Sequence, residues 1–303
     1  MAEVELKYVP RPQFFAFHSR SQRFAAMMCH RRAGKTVACV NDAIHRAIYS
    51  KKERPRYGYV APLRNQAKGV AWDYLKSYSE GLTERVSEAE LSVQFKHNGA
   101  RITLYGADNP DSFRGLYFDG VILDEFGDMN PTVYTKNIFP ALSDRKGWIV
   151  FIGTPKGKNH FYDIYQKAVP DHEWYTFLLR ASESGIFAPT DLALIQRQMS
   201  EDEYAQEFEC SFDAAVIGTY YAKLIDQVER EGRVSVGVDY DPDFPVESVM
   251  DLGFTDSCAI WYWQTRPDGL AILDYDEANG QPLPYYFDLL AEKGWDYEKI
   301  WLP

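Results

Sequence analysis

Apolar and polar positions follow two alternating rhythms along the first two-thirds of the chain. Short apolar runs bounded by polar or turn residues, at Arg23–Cys29, Arg56–Ala61, Phe118–Leu123 and Trp148–Ile152, predict buried strands. Between and after them, apolar residues recur at helical spacing over Thr36–Ser50, Asn65–Ser79, Asn159–Lys167 and Asp191–Glu209. Leu91–Phe95 and Arg101–Tyr105 alternate on either side of Asn98-Gly99, which predicts a hairpin. Strands alternating with helices predict an α/β fold with a mostly parallel sheet covered on both faces.

The pattern changes after Phe212. Ala214–Gly218 and the pair Tyr220-Tyr221 lead into Leu224–Glu231, and Asp239–Pro245 is rich in turn-forming Asp and Pro. Beyond it, Ser248–Leu252, Cys258–Gln264 and Leu270–Tyr275 predict three consecutive strands, Leu283–Glu292 a helix and Tyr297–Leu302 another strand. The expected organisation is a first domain over residues 1–212, a join over 213–246 and part of a second α/β domain over 247–303. Three strands, a helix and a last strand are too little for a separate core, so the second domain reads as truncated.

The 303 residues suggest two domains or one large one, and 46% hydrophobic with 25% charged is ordinary for a globular protein. No apolar run approaches the ~20 residues that span a bilayer, and the N-terminus has no signal pattern, so no membrane association is expected. Four scattered cysteines, Cys29, Cys39, Cys210 and Cys258, form no metal-ligand or disulfide spacing, which fits a reducing cytoplasm. The net charge of −11 argues against a nucleic-acid partner until its distribution is read. Residues 1–70 hold 14 Lys/Arg against 4 Asp/Glu, and residues 226–303 hold 5 against 17. A basic first segment can serve phosphate binding because salt screens charges beyond ~10 Å.

Residues 29–36 read Cys-His-Arg-Arg-Ala-Gly-Lys-Thr between a predicted strand and helix. Gly34-Lys35-Thr36 match the end of the G-x-x-x-x-G-K-[ST] phosphate loop, while Cys29 replaces its first Gly. Cys fits there only if the backbone keeps φ negative. In such a loop (His30, Arg31, Arg32, Ala33, Gly34) backbone amides face phosphate oxygens. Lys35 supplies a point charge for the β/γ-phosphates and the Thr36 hydroxyl a ligand for Mg²⁺. Arg31 and Arg32 add cationic charge where a γ-phosphate would sit, or else face solvent.

About 90 residues on, Val121-Ile122-Leu123-Asp124-Glu125 is an apolar strand ending in two acids. At the C-terminal edge of a parallel sheet, Asp124 can hold Mg²⁺ and Glu125 can polarise an attacking water. Arg114 is read as a transition-state partner at a subunit boundary or as a surface ion pair. Thr154, ending the next apolar strand, is read as a γ-phosphate contact or a turn residue.

These residues resemble the large terminase subunit of tailed bacteriophages. Phe17-His18 through Arg23-Phe24, followed by His30–Thr36, is similar to that family's N-terminal signature, deviant loop included. Phe113-Arg114-Gly115 through Asp124-Glu125 resembles its second motif, and Ile152–Gly157 its coupling motif. Glu203–Phe212 with Gly218–Tyr221 resembles the join between its two domains, and Tyr240–Pro242 with Met250–Trp261 the start of its nuclease domain.

The resemblance implies a P-loop NTPase of RecA/ASCE type followed by an incomplete ribonuclease-H-like nuclease domain. It implies an ATP- and Mg²⁺-dependent motor that drives double-stranded DNA into a prohead, and a nuclease using Mg²⁺ or Mn²⁺. Implied partners are a small terminase subunit, a portal protein and further copies in a ring; the implied setting is the cytoplasm of the infected host or of a lysogen. Arg31 would sense the γ-phosphate, and Arg114 would act in trans. Gln13, Phe14 and Gln22 are candidates to contact adenine. Asp251 would be the first nuclease ligand, with a second carboxylate about fifty residues on. One carboxylate cannot clamp two metals, so the chain alone is expected to be inactive as a nuclease. The competing expectations are a helicase-type nucleic-acid-dependent ATPase and a truncated, non-catalytic assembly partner.

Overall fold

The structure, a computed structural model, describes residues 7–213, 222–234, 237–252 and 257–302. The segments expected at Ala214–Gly218 and Tyr220-Tyr221, and residues 253–256 of the Met250–Trp261 motif, lie outside these residues. The chain divides into two compact units, Met1–Tyr220 and Tyr221–Pro303.

The first unit is built on an eight-stranded sheet. Its strands are β1 (Phe24–Cys29), β2 (Arg56–Ala61), β3 (Thr83–Ser87), β4 (Ser92–Phe95), β5 (Arg101–Gly106), β6 (Gly120–Asp124), β7 (Trp148–Gly153) and β8 (Trp174–Leu179). The order is β3-β4-β5-β2-β6-β7-β1-β8. From β5 to β8 every neighbouring pair is parallel, whereas β3, β4 and β5 pair antiparallel. β6 and β7 are buried throughout and β1 almost so, because helices and loops cover both faces.

The pleat sends successive residues to opposite cores. Met27 packs with the Lys35–Ile48 helix and Trp72, while Met28 packs with Phe113, Phe118, Phe126 and Phe161. β7 divides likewise, Val150 and Ile152 to one side and Ile149 and Phe151 to the other.

Several predicted elements change form. The helix expected over Asn65–Ser79 runs as Arg64–Ala67, a π-helical stretch Lys68–Trp72 and Asp73–Tyr78. The one expected over Asp191–Glu209 is two, Pro189–Arg197 and Glu201–Glu207. The break is made by Ser200, whose hydroxyl accepts from the Glu203 amide while the Glu203 carboxylate accepts from the Ser200 amide, a reciprocal cap. β3, β8 and the helical run Val133–Ser143 are additional to the predicted elements. β3 and β8 are edge strands without clean alternation, and Pro140 interrupts the helical signal of the third.

The second unit holds the Ala222–Arg230 helix, β9 (Val246–Asp251), β10 (Ser257–Arg266), β11 (Gly269–Asn279), the Leu283–Glu292 helix and β12 (Tyr297–Trp301). The sheet order is β11-β10-β9-β12, antiparallel except where β12 joins β9 in parallel. Contrary to the expectation of too little core, one sheet face buries Val246, Met250, Cys258, Ile260 and Tyr262 beneath Tyr286 and Leu290 of the helix. On the other face the register partners Trp301, Val249, Trp261 and Tyr275 remain exposed.

Candidate nucleotide site

β1 ends at Cys29, which is fully buried in extended backbone, so no glycine is needed there. The loop turns instead at Arg32 (φ 66°) and Gly34 (φ 97°). The His30 amide donates to the Leu179 carbonyl and the Arg31 amide to the Glu207 carbonyl, which ties the loop to β8 and to the Glu201–Glu207 helix. Arg11 donates to the Ala33 carbonyl at 2.7 Å and the Arg32 carbonyl at 3.3 Å, closing the loop from outside. The Lys35–Ile48 helix starts with no side-chain cap. Its first amides therefore have no intrahelical or capping partner and form an anion-binding end.

β7 lies between β1 and β6, so three parallel strands end side by side. Lys35 Nζ is 3.3 Å from Glu125 Oε1. The Thr154 amide, just past β7, donates to Glu125 Oε2 at 3.4 Å. Gly153 keeps this approach open, since a Cβ there would lie 3.3 Å from Glu125 Oε2 and 3.1 Å from the Phe161 ring. Asp124 is buried, its Oδ2 accepts from the Tyr59 hydroxyl, and its Oδ1 has no protein partner.

Electrostatics follow from this packing. Burial first, then the Glu125 charge, pushes the Asp124 carboxyl up to about 6, against Lys35 and Tyr59. Burial opposes the Lys35 ammonium, yet Glu125 and Asp124 outweigh it and raise its pKa. Burial lowers the pKa of His30, whose Nδ1 lies 2.7 Å from the Arg31 carbonyl.

Glu125 itself sits at φ 51°, a left-handed conformation that costs a non-glycine residue about 1 kcal/mol or more. Three side chains hold the turn that follows. His160 Nε2 lies 2.8 Å from the Phe126 carbonyl, Asn159 Nδ2 donates to the Gly127 carbonyl at 3.2 Å, and Lys156 pairs with Asp128 at 2.5 Å. Asn159 also caps the His160–Ala168 helix through Oδ1.

The structure thus brings Gly34, Lys35, Asp124, Glu125 and Thr154 together, with Ala33 buried beneath the loop and Thr36 in the first helical turn. Arg31 is largely exposed and 3.9 Å from Glu207, and Arg32 is exposed. Arg114 is exposed and pairs with Asp111 at 3.1 Å, outside this convergence. Gln13 donates to the Ser184 carbonyl and leaves Oε1 buried without a partner. Two adenine candidates are corrected. Phe14 is spent in the core, and Gln22 precedes β1, so it lies at the opposite end of the strand from the loop. Asp251 ends β9, exposed, opposite Ala259. Among the described residues no group of three or more His, Cys, Asp or Glu could hold a metal. Arg11, Tyr59, Asn159 and His160 are absent from the residues that sequence reasoning singles out. Only Asn159, a capping residue type at the start of the predicted Asn159–Lys167 helix, carries a local signal.

Residues 27–226 match the family model for the terminase large subunit, T4likevirus-type, N-terminal. The chain belongs to this terminase family. It is 29% identical over 182 residues to the terminase large subunit of Thermus phage G20c, covering 53% of this chain and 36% of that protein. To the terminase large subunit of Escherichia phage T5 it is 23% identical over 255 residues, 81% of this chain and 57% of that one. The matches therefore span between about a third and three-fifths of these relatives' lengths. The large terminase ATPase domain of Thermus phage P74-26 superposes with TM-score 0.60 at 22% identity, over 68% of this chain and 95% of that one. The large terminase of a thermophilic bacteriophage, in complex with ADP, superposes with TM-score 0.56 at 15% identity, over 93% and 72%. These likenesses show the terminase ATPase fold.

Proposed function

We propose that this terminase chain is the ATP-hydrolysing subunit of a DNA-packaging motor. The observation that carries the reading is the convergence of Lys35, Asp124, Glu125 and the Thr154 amide at the ends of three adjacent strands. The large terminase of the thermophilic bacteriophage is described with ADP and with ATP-γ-S, which supports the same ligand here. Gly34, Lys35 and the following amides bind the phosphates. A triphosphate that draws Lys35 onto its β and γ oxygens releases Glu125 to a water. That water's oxygen attacks the γ-phosphorus, its proton passes to Glu125, and the bond to the ADP oxygen breaks. Thr154 is the group that registers the change at Glu125.

Mg²⁺ fits the donor set. Asp124 keeps one buried oxygen without a partner, and Thr36 adds a hydroxyl at the same sheet edge. When bound, the ion offsets phosphate charge. In this reading Arg31 meets the γ-phosphate and Arg114 acts on a neighbouring copy in a ring; the exposure of both side chains supports it. Gln13, with its buried free Oε1, is the adenine candidate that remains.

The partners in this reading are double-stranded DNA, a small terminase subunit and a portal-bearing prohead in the host cytoplasm. The second unit, with its first strand at the centre between an antiparallel meander and a parallel β12, supports a ribonuclease-H-like nuclease reading in which Asp251 is one metal ligand. Phosphate release, measured with and without DNA, tests the motor reading. Unaltered rates in both Lys35→Ala and Glu125→Gln would end it.

A further inference from the structure

The nucleotide groups occupy the C-terminal ends of β1, β6 and β7. Around the N-terminal ends of the same strands lies a second cleft of about 440 Å³, with Arg23, Asp119 and Trp148 on its walls. β1 has six residues, so the two sites are roughly 20 Å apart along the sheet.

The charge around this cleft is unbalanced. Asp42 is shared by Arg20 (2.8 Å) and Arg46 (2.9 Å), with His18 at 3.7 Å. Asp119 is shared by Lys52 (3.0 Å) and Arg145 (2.8 Å). Each carboxylate thus answers two permanent cations. Arg23 donates to the uncharged Gly147 carbonyl and lies over the Phe24 ring. Lys146 is exposed on the cleft wall at φ 49°, a position where glycine would be unstrained. On the flanking turns Lys51 and Arg54 offset Glu53 and Asp144, leaving the excess unchanged. A concave, strongly cationic site on a chain of net charge −11 is a place for a polyanion.

We propose that this cleft grips the phosphate backbone of double-stranded DNA at the sheet end remote from ATP. The inference rests on the motor reading for its partner. Arg20, Arg46 and Arg145 are held in place by their carboxylates, while Lys52, Lys146 and Arg23 form the accessible rim. Backbone contacts of this kind confer affinity without base specificity.

The test uses the full chain and a fluorescein-labelled duplex of about 30 base pairs, read by polarisation across a salt series. Lys52→Glu with Lys146→Glu should weaken binding at least about tenfold and flatten the salt slope by about two. Lys146→Gln, which removes no carboxylate partner, guards against misfolding and should weaken binding roughly two- to fivefold. ATP hydrolysis without DNA should be unchanged in both. Unaltered affinity and slope, or a rise in the KM for ATP with DNA binding intact, would overturn the proposal; the second result would mark a small-anion site. Lack of duplex binding by the unaltered chain also overturns it, whereas the motor reading fails separately, on the hydrolysis rates of the Lys35 and Glu125 variants.

Discussion

β6 and β9 both end in a carboxylate, Asp124 followed by Glu125 in one and Asp251 in the other. Asp124 is 4% exposed and Asp251 is exposed. The difference lies in the neighbours. β1, β7 and β6 are parallel, so their C-terminal ends deliver Lys35, Thr154 and Glu125 to one edge. Beside β9 runs antiparallel β10, which brings Ala259 to Asp251, with Glu277 of β11 one strand further out. Parallel β12 ends at Trp301, opposite Val249. A strand-end acid gains partners from what adjacent strands carry to the same level, and parallel order does this where a hairpin does not.

The two strand ends should differ most at Glu125. Glu125→Gln keeps the shape and the side-chain contact with the Thr154 amide but removes the charge that Lys35 faces and, on the motor reading proposed above, the base that a water needs. Hydrolysis should fall by about 10²–10³, equivalent to roughly 3–4 kcal/mol, with nucleotide affinity retained. The corresponding change at the other strand end, Asp251→Asn, should leave phosphate release unaltered. Equal losses at both positions would mean that the cleft is not the reacting site.

The two units also differ in how their acids are held, and acid should separate them. Burial works to raise the Asp42 carboxyl, but His18 beside it and the guanidinium groups of Arg20 and Arg46 overcome this and hold it at about 2, below the ordinary 3.8. A depressed carboxylate stabilises the fold above its unfolded pKa. That stabilisation, about 2 kcal/mol, is present above pH ~4 and lost as pH falls through about 2. Asp274 in the second unit is also lowered, chiefly by Lys293, but half its side chain is exposed and the pair is screened. Hydrogen exchange between about pH 4 and 2 should show first-unit amides losing protection before second-unit ones. The same order in Asp42→Asn would refute the assignment to Asp42.

Much of this site is legible in the sequence, for reasons specific to each residue. Val121–Asp124 and Trp148–Ile152 are almost continuously apolar because both faces of β6 and β7 are covered, and the Gly34-Lys35-Thr36 triplet follows such a run. What is not legible is the set of residues that hold the machinery. Tyr59 reads as another apolar position of β2, although its hydroxyl meets Asp124. Arg11 reads as a surface charge in a Pro-rich turn, although it closes the phosphate loop. These contacts join residues 22 to 65 positions apart, and no local period records them. β8 is not legible because its half-buried positions neither alternate nor form a fully apolar block.

A smaller effect should come from the turn below Glu125. His160→Ala removes the 2.8 Å contact with the Phe126 carbonyl and frees a turn whose first residue is held at φ 51°. The expected result is about a tenfold loss in kcat, roughly 1.4 kcal/mol, with KM for ATP unchanged. Asn159→Ala should show the same kcat loss together with about 1 kcal/mol of lost stability, because Asn159 also caps a helix. A loss confined to KM would instead place both residues in nucleotide binding.

The smallest expected effect is at Asp251, the acid that ends β9. Hydrolysis of a phosphodiester by two metals needs several carboxylates within a few ångströms of one another. Among the described residues Asp251 has Ala259 opposite it and belongs to no cluster able to hold a metal. Supercoiled plasmid incubated with this 303-residue chain in Mn²⁺ should therefore stay supercoiled, and Asp251→Ala should change nothing. Linearisation by the unaltered chain that disappears in Asp251→Ala would show that an antiparallel strand end can assemble a site as the parallel edge does.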